Sequence, residues 1–75
     1  MPRLVPLHWR ALEKVALKKG LRFARKKGSH RSYVGPGLKR PVVIPERSEI
    51  PVSIIRNIID TLAISRDEFF RLLND

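Results

Sequence analysis

Between positions 7 and 19 the apolar residues Trp9, Leu12, Val15 and Ala16 recur at three- and four-residue intervals, while Arg10, Lys14 and Lys18 fall on the other side. That period predicts a helix over 7–19, opened by Pro6 and ended by Gly20. The period then changes. Leu21 and Phe23 alternate with Arg22 and Ala24, which predicts a strand over about 21–26 with one apolar and one basic face. Gly28-Ser29 interrupts it, and His30 to Val34 predicts a second strand paired with the first as a hairpin. Gly35-Pro36-Gly37 is a loop signal, and Arg40 to Pro45 supplies a third strand. Its prolines cannot donate ladder hydrogen bonds, which suits strand ends or a sheet edge.

From Pro51 the pattern is helical again, with Val52, Ile55, Ile58, Ile59 and Leu62 on one face and Ile54 toward its flank. Ser65-Arg66-Asp67-Glu68 has the form of a capping box and predicts a last short helix over about 66–73, whose Phe69, Leu72 and Leu73 close the core. The order helix, three strands, helix, short helix predicts an α+β fold, an antiparallel sheet with its helices on one face. No repeat, low-complexity tract or long linker divides the chain, so one domain over 1–75 is expected.

Charge sharpens this picture. The 75 residues carry a formal net charge of +9. Residues 1–30 hold nine basic side chains against the single acid Glu13, whereas residues 51–75 hold three basic against four acidic. One face for polyanions and one for packing is the reading such polarity supports. The absence of cysteine removes disulfides, thiolate metal sites and cysteine nucleophiles together. No apolar run approaches a membrane span, and Met1 to Pro6 is too short and proline-broken for a signal peptide. A cytoplasmic protein is expected.

Little of the familiar site chemistry has its residues here. Glu46 and Glu49 lie in a loop without a nearby histidine, so no metal or other cofactor is expected. No phosphate-binding glycine loop of the P-loop type is present. Ser29 and His30 are sequence neighbours, and on extended backbone neighbouring side chains point to opposite faces, a poor geometry for a dyad. His30 itself follows a glycine turn, is flanked by Arg25, Lys26, Lys27 and Arg31, and heads a strand. An imidazole there can take a proton from a ribose 2′-OH or give one to a leaving 5′ oxygen, with adjacent cations stabilising charge at phosphorus. That chemistry cleaves RNA without a metal and cannot cleave DNA, which lacks the 2′-OH. The competing reading is a turn histidine that contacts backbone or phosphate without catalysis.

Lys26-Lys27-Gly28-Ser29-His30 followed by Tyr33, the strand Val42-Val43-Ile44-Pro45, the helix Ile55-Arg56-Asn57-Ile58-Ile59 and the tail Ile64-Ser65-Arg66-Asp67-Glu68-Phe69 together resemble the HicA family of toxin-antitoxin mRNA interferases. The resemblance spans about positions 7–73. It implies an α-β-β-β-α fold like that of double-stranded-RNA-binding domains, mRNA cleavage independent of the ribosome, the histidine of Gly-Ser-His as catalytic residue, here His30, and a cognate HicB-type antitoxin that blocks the site. In many relatives a second histidine follows the strand-ending proline; here Glu46-Arg47-Ser48 stands in that place. Arg47 can clamp a phosphate but cannot act as a base. His8, the other imidazole, is either a partner to His30 or a helix-start residue.

Arg25, Lys26, Lys27, Arg31 and Arg47 are the expected phosphate contacts, Gly28 lets the backbone turn close to phosphate, and Ser29 either bonds phosphate or caps the turn. Tyr33 and Trp9 either stack a base or pack the core. The expected partners are mRNA and the antitoxin, with no membrane and no direct DNA contact. A membrane surface is disfavoured because the basic first helix keeps no broad apolar face once Trp9, Leu12 and Ala16 are buried. A non-catalytic RNA-binding module on the same fold is the main alternative to the nuclease.

Overall fold

The structure, a computed structural model, describes residues 3–75; Met1 and Pro2, part of the segment weighed as a signal peptide, lie outside the described residues. Six elements follow in the order α1 (Trp9–Lys18), β1 (Arg22–Lys27), β2 (His30–Val34), β3 (Val42–Pro45), α2 (Val52–Leu62) and α3 (Arg66–Asn74). The strands form one antiparallel sheet in the order β1-β2-β3. The fold is thus the expected α+β arrangement, like that of double-stranded-RNA-binding domains. No helix among the described residues is long and apolar enough to cross a membrane.

The start of α1 departs from the expected 7–19. Leu7 is extended and exchanges two backbone hydrogen bonds with Ile50, at 3.2 and 2.7 Å, so its amide is already committed outside the helix. Pro6 therefore does not open α1. His8 does, with extended backbone and its Nδ1 accepting the Arg10 N–H at 3.1 Å, while the Trp9 N–H donates to the Arg47 carbonyl. At the other end Gly20, at φ +93°, permits a left-handed closure in which Leu21 N–H reaches the Ala16 carbonyl and Gly20 N–H reaches that of Leu17, each at 3.0 Å. This closure turns the buried Leu21 into the core just before β1 begins.

Leu12, Val15 and Ala16 of α1, Tyr33, Val42 and Ile44 of the sheet, Ile55, Ile58, Ile59 and Leu62 of α2, and Phe69 of α3 form the core with Leu21 and Ile50. Leu72 and Leu73 pack only at its margin, as does Trp9, which is half-buried rather than buried. Ser65 Oγ accepts the Glu68 N–H at 3.0 Å, half of the expected capping box. The Glu68 carboxylate turns instead to Lys19 at 2.9 Å and to Arg71, tying the start of α3 to the end of α1.

Strand β1 overturns the expected two-faced pattern, for every one of its residues is exposed. It is an edge strand with no helix packed across it, so its helix-side residue Phe23 keeps 44% of its surface open. The opposite edge is guarded by its prolines. Glu46 N–H donates to the Ser29 carbonyl at 2.7 Å, and by the alternation of an antiparallel ladder the amide positions of Val43 and Pro45 point away from β2. Pro45 thus removes a donor from the outer edge, where one would invite another strand.

Candidate nucleic-acid interface

The register determines which side chains share a face. Residues opposite one another in neighbouring strands project to the same side, so Phe23, Tyr33 and Val42 form one row and Lys26, Arg31 and Ile44 another. Tyr33 Oη reaches Glu13 of α1, which identifies this as the helix-covered side. The rows between them, Arg25 with Ser32 and Val43, and Lys27 with His30 and Pro45, belong to the opposite, helix-free side. A bulge at Ala24 produces this division within β1, because without it Phe23 and Arg25 would share a face.

His30 is exposed at the first position of β2, directly across from Lys27. Gly28 and Ser29 make the two-residue turn between them, and Gly28 has φ +60°, the sign that a tight hairpin of this length requires at its first central residue. The Ser29 carbonyl is held by Glu46, so the turn is anchored to the residue that follows β3. Arg47 comes next in the chain and is exposed. Among the described residues Arg25, Lys27 and Arg47 enter no ion pair. Exposed cations, Arg25 and Lys27 of them on the same helix-free side as the exposed imidazole, can neutralise phosphates while the imidazole exchanges a proton.

Lys26 and Arg31 are placed differently. Lys26 Nζ lies 2.9 Å from Glu46 Oε1, and the Arg31 guanidinium lies 2.9 Å from Glu46 Oε2 and 3.5 Å from Glu13. Arg31 Nε also donates to Tyr33 Oη at 3.0 Å, and Tyr33 in turn donates to Glu13 at 2.5 Å. The hydrogen bond with Tyr33, and after it that with Glu46, holds the Arg31 guanidinium still more firmly protonated than usual. Hydrogen bonds from Lys26 and then Arg31 depress the Glu46 carboxyl below its ordinary value, while burial and the bond to Glu13 raise the Tyr33 phenol. The Arg31 guanidinium further lies 4.4 Å from the centre of the Phe23 ring and 5.0 Å from that of Trp9. Arg31 therefore knits α1, the sheet and the residue after β3 together from the helix side. It does not share a face with His30.

Tyr33 is fully buried and cannot stack a base, so of its two readings core packing holds. His8 caps α1 with its Nδ1. Among the described residues no three His, Asp or Glu side chains are grouped as metal ligands would be. Sequence reasoning gave Phe23 and Glu13 no part in this region and named Glu46 only as a loop acid standing where many relatives carry a second histidine. Glu13, as the lone acid among nine cations, was the signal for the first ion pair.

The family description for the HicA toxin of bacterial toxin-antitoxin systems matches residues 9–64, from the first residue of α1 to the turn before α3. The chain belongs to the HicA toxin family. As a HicA-family chain it is the toxin of a toxin-antitoxin system and has an antitoxin as partner. The match includes the whole sheet, the Gly28-Ser29 turn and His30. No characterised protein and no solved structure matched the chain in the same comparison.

Proposed function

We propose that this HicA-family toxin is a metal-independent endoribonuclease that cleaves mRNA in the cytoplasm, with His30 as general acid or base and a HicB-type antitoxin as its inhibitor. The observation that carries the proposal is the placement of His30: exposed, on the helix-free side of the sheet, opposite Lys27 and one row from Arg25. In this reading His30 takes the proton from a ribose 2′-OH as that oxygen attacks phosphorus, and the 5′ oxygen departs with a proton from solvent or from the imidazolium just formed. The products are a 2′,3′-cyclic phosphate and a 5′-hydroxyl end. Arg25, Lys27 and Arg47 hold phosphates by charge, and Gly28 and Ser29 offer a turn whose backbone lies close to the strand being cut. Lys26 and Arg31 support this site from the helix side, pairing with Glu46 and so tying the residue beyond β3 to the hairpin. The domain that does this is the whole of residues 1–75.

Incubating the protein with single-stranded RNA in EDTA, beside His30→Ala, tests the proposal. Scission by the native protein alone, with cyclic-phosphate and 5′-hydroxyl ends, is expected. RNA binding by both proteins without scission would reduce the chain to an RNA-binding module and remove the catalytic role of His30.

A further inference from the structure

An exposed aromatic ring on a strand of cations calls for an explanation beyond packing. Phe23 is the one large apolar side chain of β1, and its neighbours along the strand are Arg22, Ala24, Arg25, Lys26 and Lys27. The ring is 44% exposed, yet it is not loose. The Arg31 guanidinium lies 4.4 Å from its centre, and the buried Tyr33 ring meets it edge-on at 5.9 Å. Arg31 is itself fixed by Glu13 and Glu46, so Phe23 is an oriented platform rather than a mobile side chain.

We propose that Phe23 is a stacking subsite for one nucleobase of the single-stranded RNA that the toxin cleaves, a base-binding contact on the far side of β1 from His30. The inference rests on the RNA-cleaving reading above. A protein anchor is the other occupant such a ring could serve, but an anchoring pocket is apolar around its centre and excludes water. Here the surroundings are charged: Lys26 and Arg31 on the ring's own side, paired with Glu46 and Glu13, and Arg25 and Lys27 on the other face of the same strand. One aromatic ring among cations that track a backbone is the pattern of single-strand binding, in which the ring takes any base by its face and the charges take the phosphates. From Phe23 to Lys27 the strand runs about 13 Å at roughly 3.3 Å per residue, so a strand passing over the β1 edge reaches the ring and His30 within a short oligonucleotide.

The test uses the full chain carrying His30→Ala, so that RNA stays intact, with two probes: a short single-stranded oligoribonucleotide of mixed sequence and its abasic counterpart with the same backbone. Stacking on aromatic side chains is worth about 1–3 kcal/mol per base, or roughly 5- to 150-fold in affinity. Phe23→Ala is expected to lower the ratio of base-bearing to abasic affinity at least fivefold and to leave abasic binding unchanged, whereas Phe23→Tyr keeps the ratio. Trp9 is the only tryptophan, so Phe23→Trp combined with Trp9→Phe places a fluorophore at the subsite, and base-bearing RNA alone should quench it. A ratio unmoved by Phe23→Ala overturns the subsite. If that variant instead weakens only the complex with the antitoxin, the ring is a protein anchor and the inference is wrong. If neither oligonucleotide binds at low salt, the RNA reading itself falls, a failure distinct from that of the subsite.

Discussion

Lys27 and His30 face one another across the last rung of the β1–β2 hairpin, on either side of a two-residue turn. A cation opposite the imidazole belongs to the same surface that a phosphate would approach, whereas Lys26, one residue earlier, points to the helix side and is held by Glu46 at 2.9 Å. Two adjacent lysines of equal charge should therefore behave unequally. In a His30→Ala background, Lys27→Ala is expected to reduce the slope of log affinity for single-stranded RNA against log salt by about 0.7, the share of one phosphate contact. Lys26→Ala should reduce it by clearly less. Equal losses from the two lysines, measured by titration at several salt concentrations, would contradict the assignment of faces.

Gly28 ties this surface to backbone geometry. Nothing crowds a Cβ at that position, so steric clash with neighbours plays no part in Gly28→Ala. The cost comes from φ +60°, which an L-residue adopts at about 1–2 kcal/mol, offset in part by the stiffer unfolded chain. A net loss of about 1 kcal/mol, or roughly 5 °C in Tm for a chain of this size, is expected. Scission should fall by more than the change in folded fraction explains, since His30 follows the turn directly. Thermal melting and a single-turnover RNA assay at a temperature where both proteins are folded separate the two effects.

How much of this was legible in the sequence depends on what each signal measures. His30–Val34 and the face of α2 were legible because local period and burial agree there: Ile55, Ile58, Ile59 and Leu62 all enter the core. At β1 they disagree. Alternation of apolar and basic residues marks two faces, but only tertiary packing says whether a helix covers either of them, and none covers Phe23. Pro6 misled for a related reason, since the partner that holds Leu7 out of the helix is Ile50, far along the chain. His30 and the basic run could be named from composition and spacing. The separation of Phe23 from Arg25 and Lys27 could not, because it turns on a one-residue bulge at Ala24 that no periodicity announces.

The end of α2 offers a test independent of function. Ala63 has φ 57°, the only described non-glycine residue in the left-handed region, and its N–H bonds the Asp60 carbonyl while Ile64 N–H reaches back to Ile59. Glycine ordinarily takes this position. Ala63→Gly removes about 1–2 kcal/mol of strain and returns part of it as entropy of the unfolded chain, so a gain of about 0.5–1 kcal/mol is expected. Chemical denaturation with an unchanged m-value and a higher midpoint would bear this out. An unchanged or lower midpoint would mean that the left-handed turn is not strained.

The network around Arg31 predicts opposite responses at the two ends of the pH scale. Tyr33, buried and donating to Glu13, holds its proton more tightly folded than unfolded. Its contribution is complete below the ordinary tyrosine value of 10.0 and is lost as pH rises from there through the raised folded value. Glu46, bonded by Lys26 and Arg31, holds its proton less tightly folded than unfolded. Its contribution is complete above the ordinary value of 4.5 and is lost as pH falls from there through the depressed folded value. Tyr33→Phe should cost about 1–2 kcal/mol at neutral pH through its lost hydrogen bonds, and its deficit relative to the native protein should shrink only above pH 10. Glu46→Gln should show its deficit at neutral pH and converge with the native protein below pH 4.5. Melting curves of the three proteins across the pH range decide it. A deficit that stays constant with pH in either variant would show that the lost contact was packing, and that the charge on Glu46 or the proton on Tyr33 does not hold the hairpin to α1.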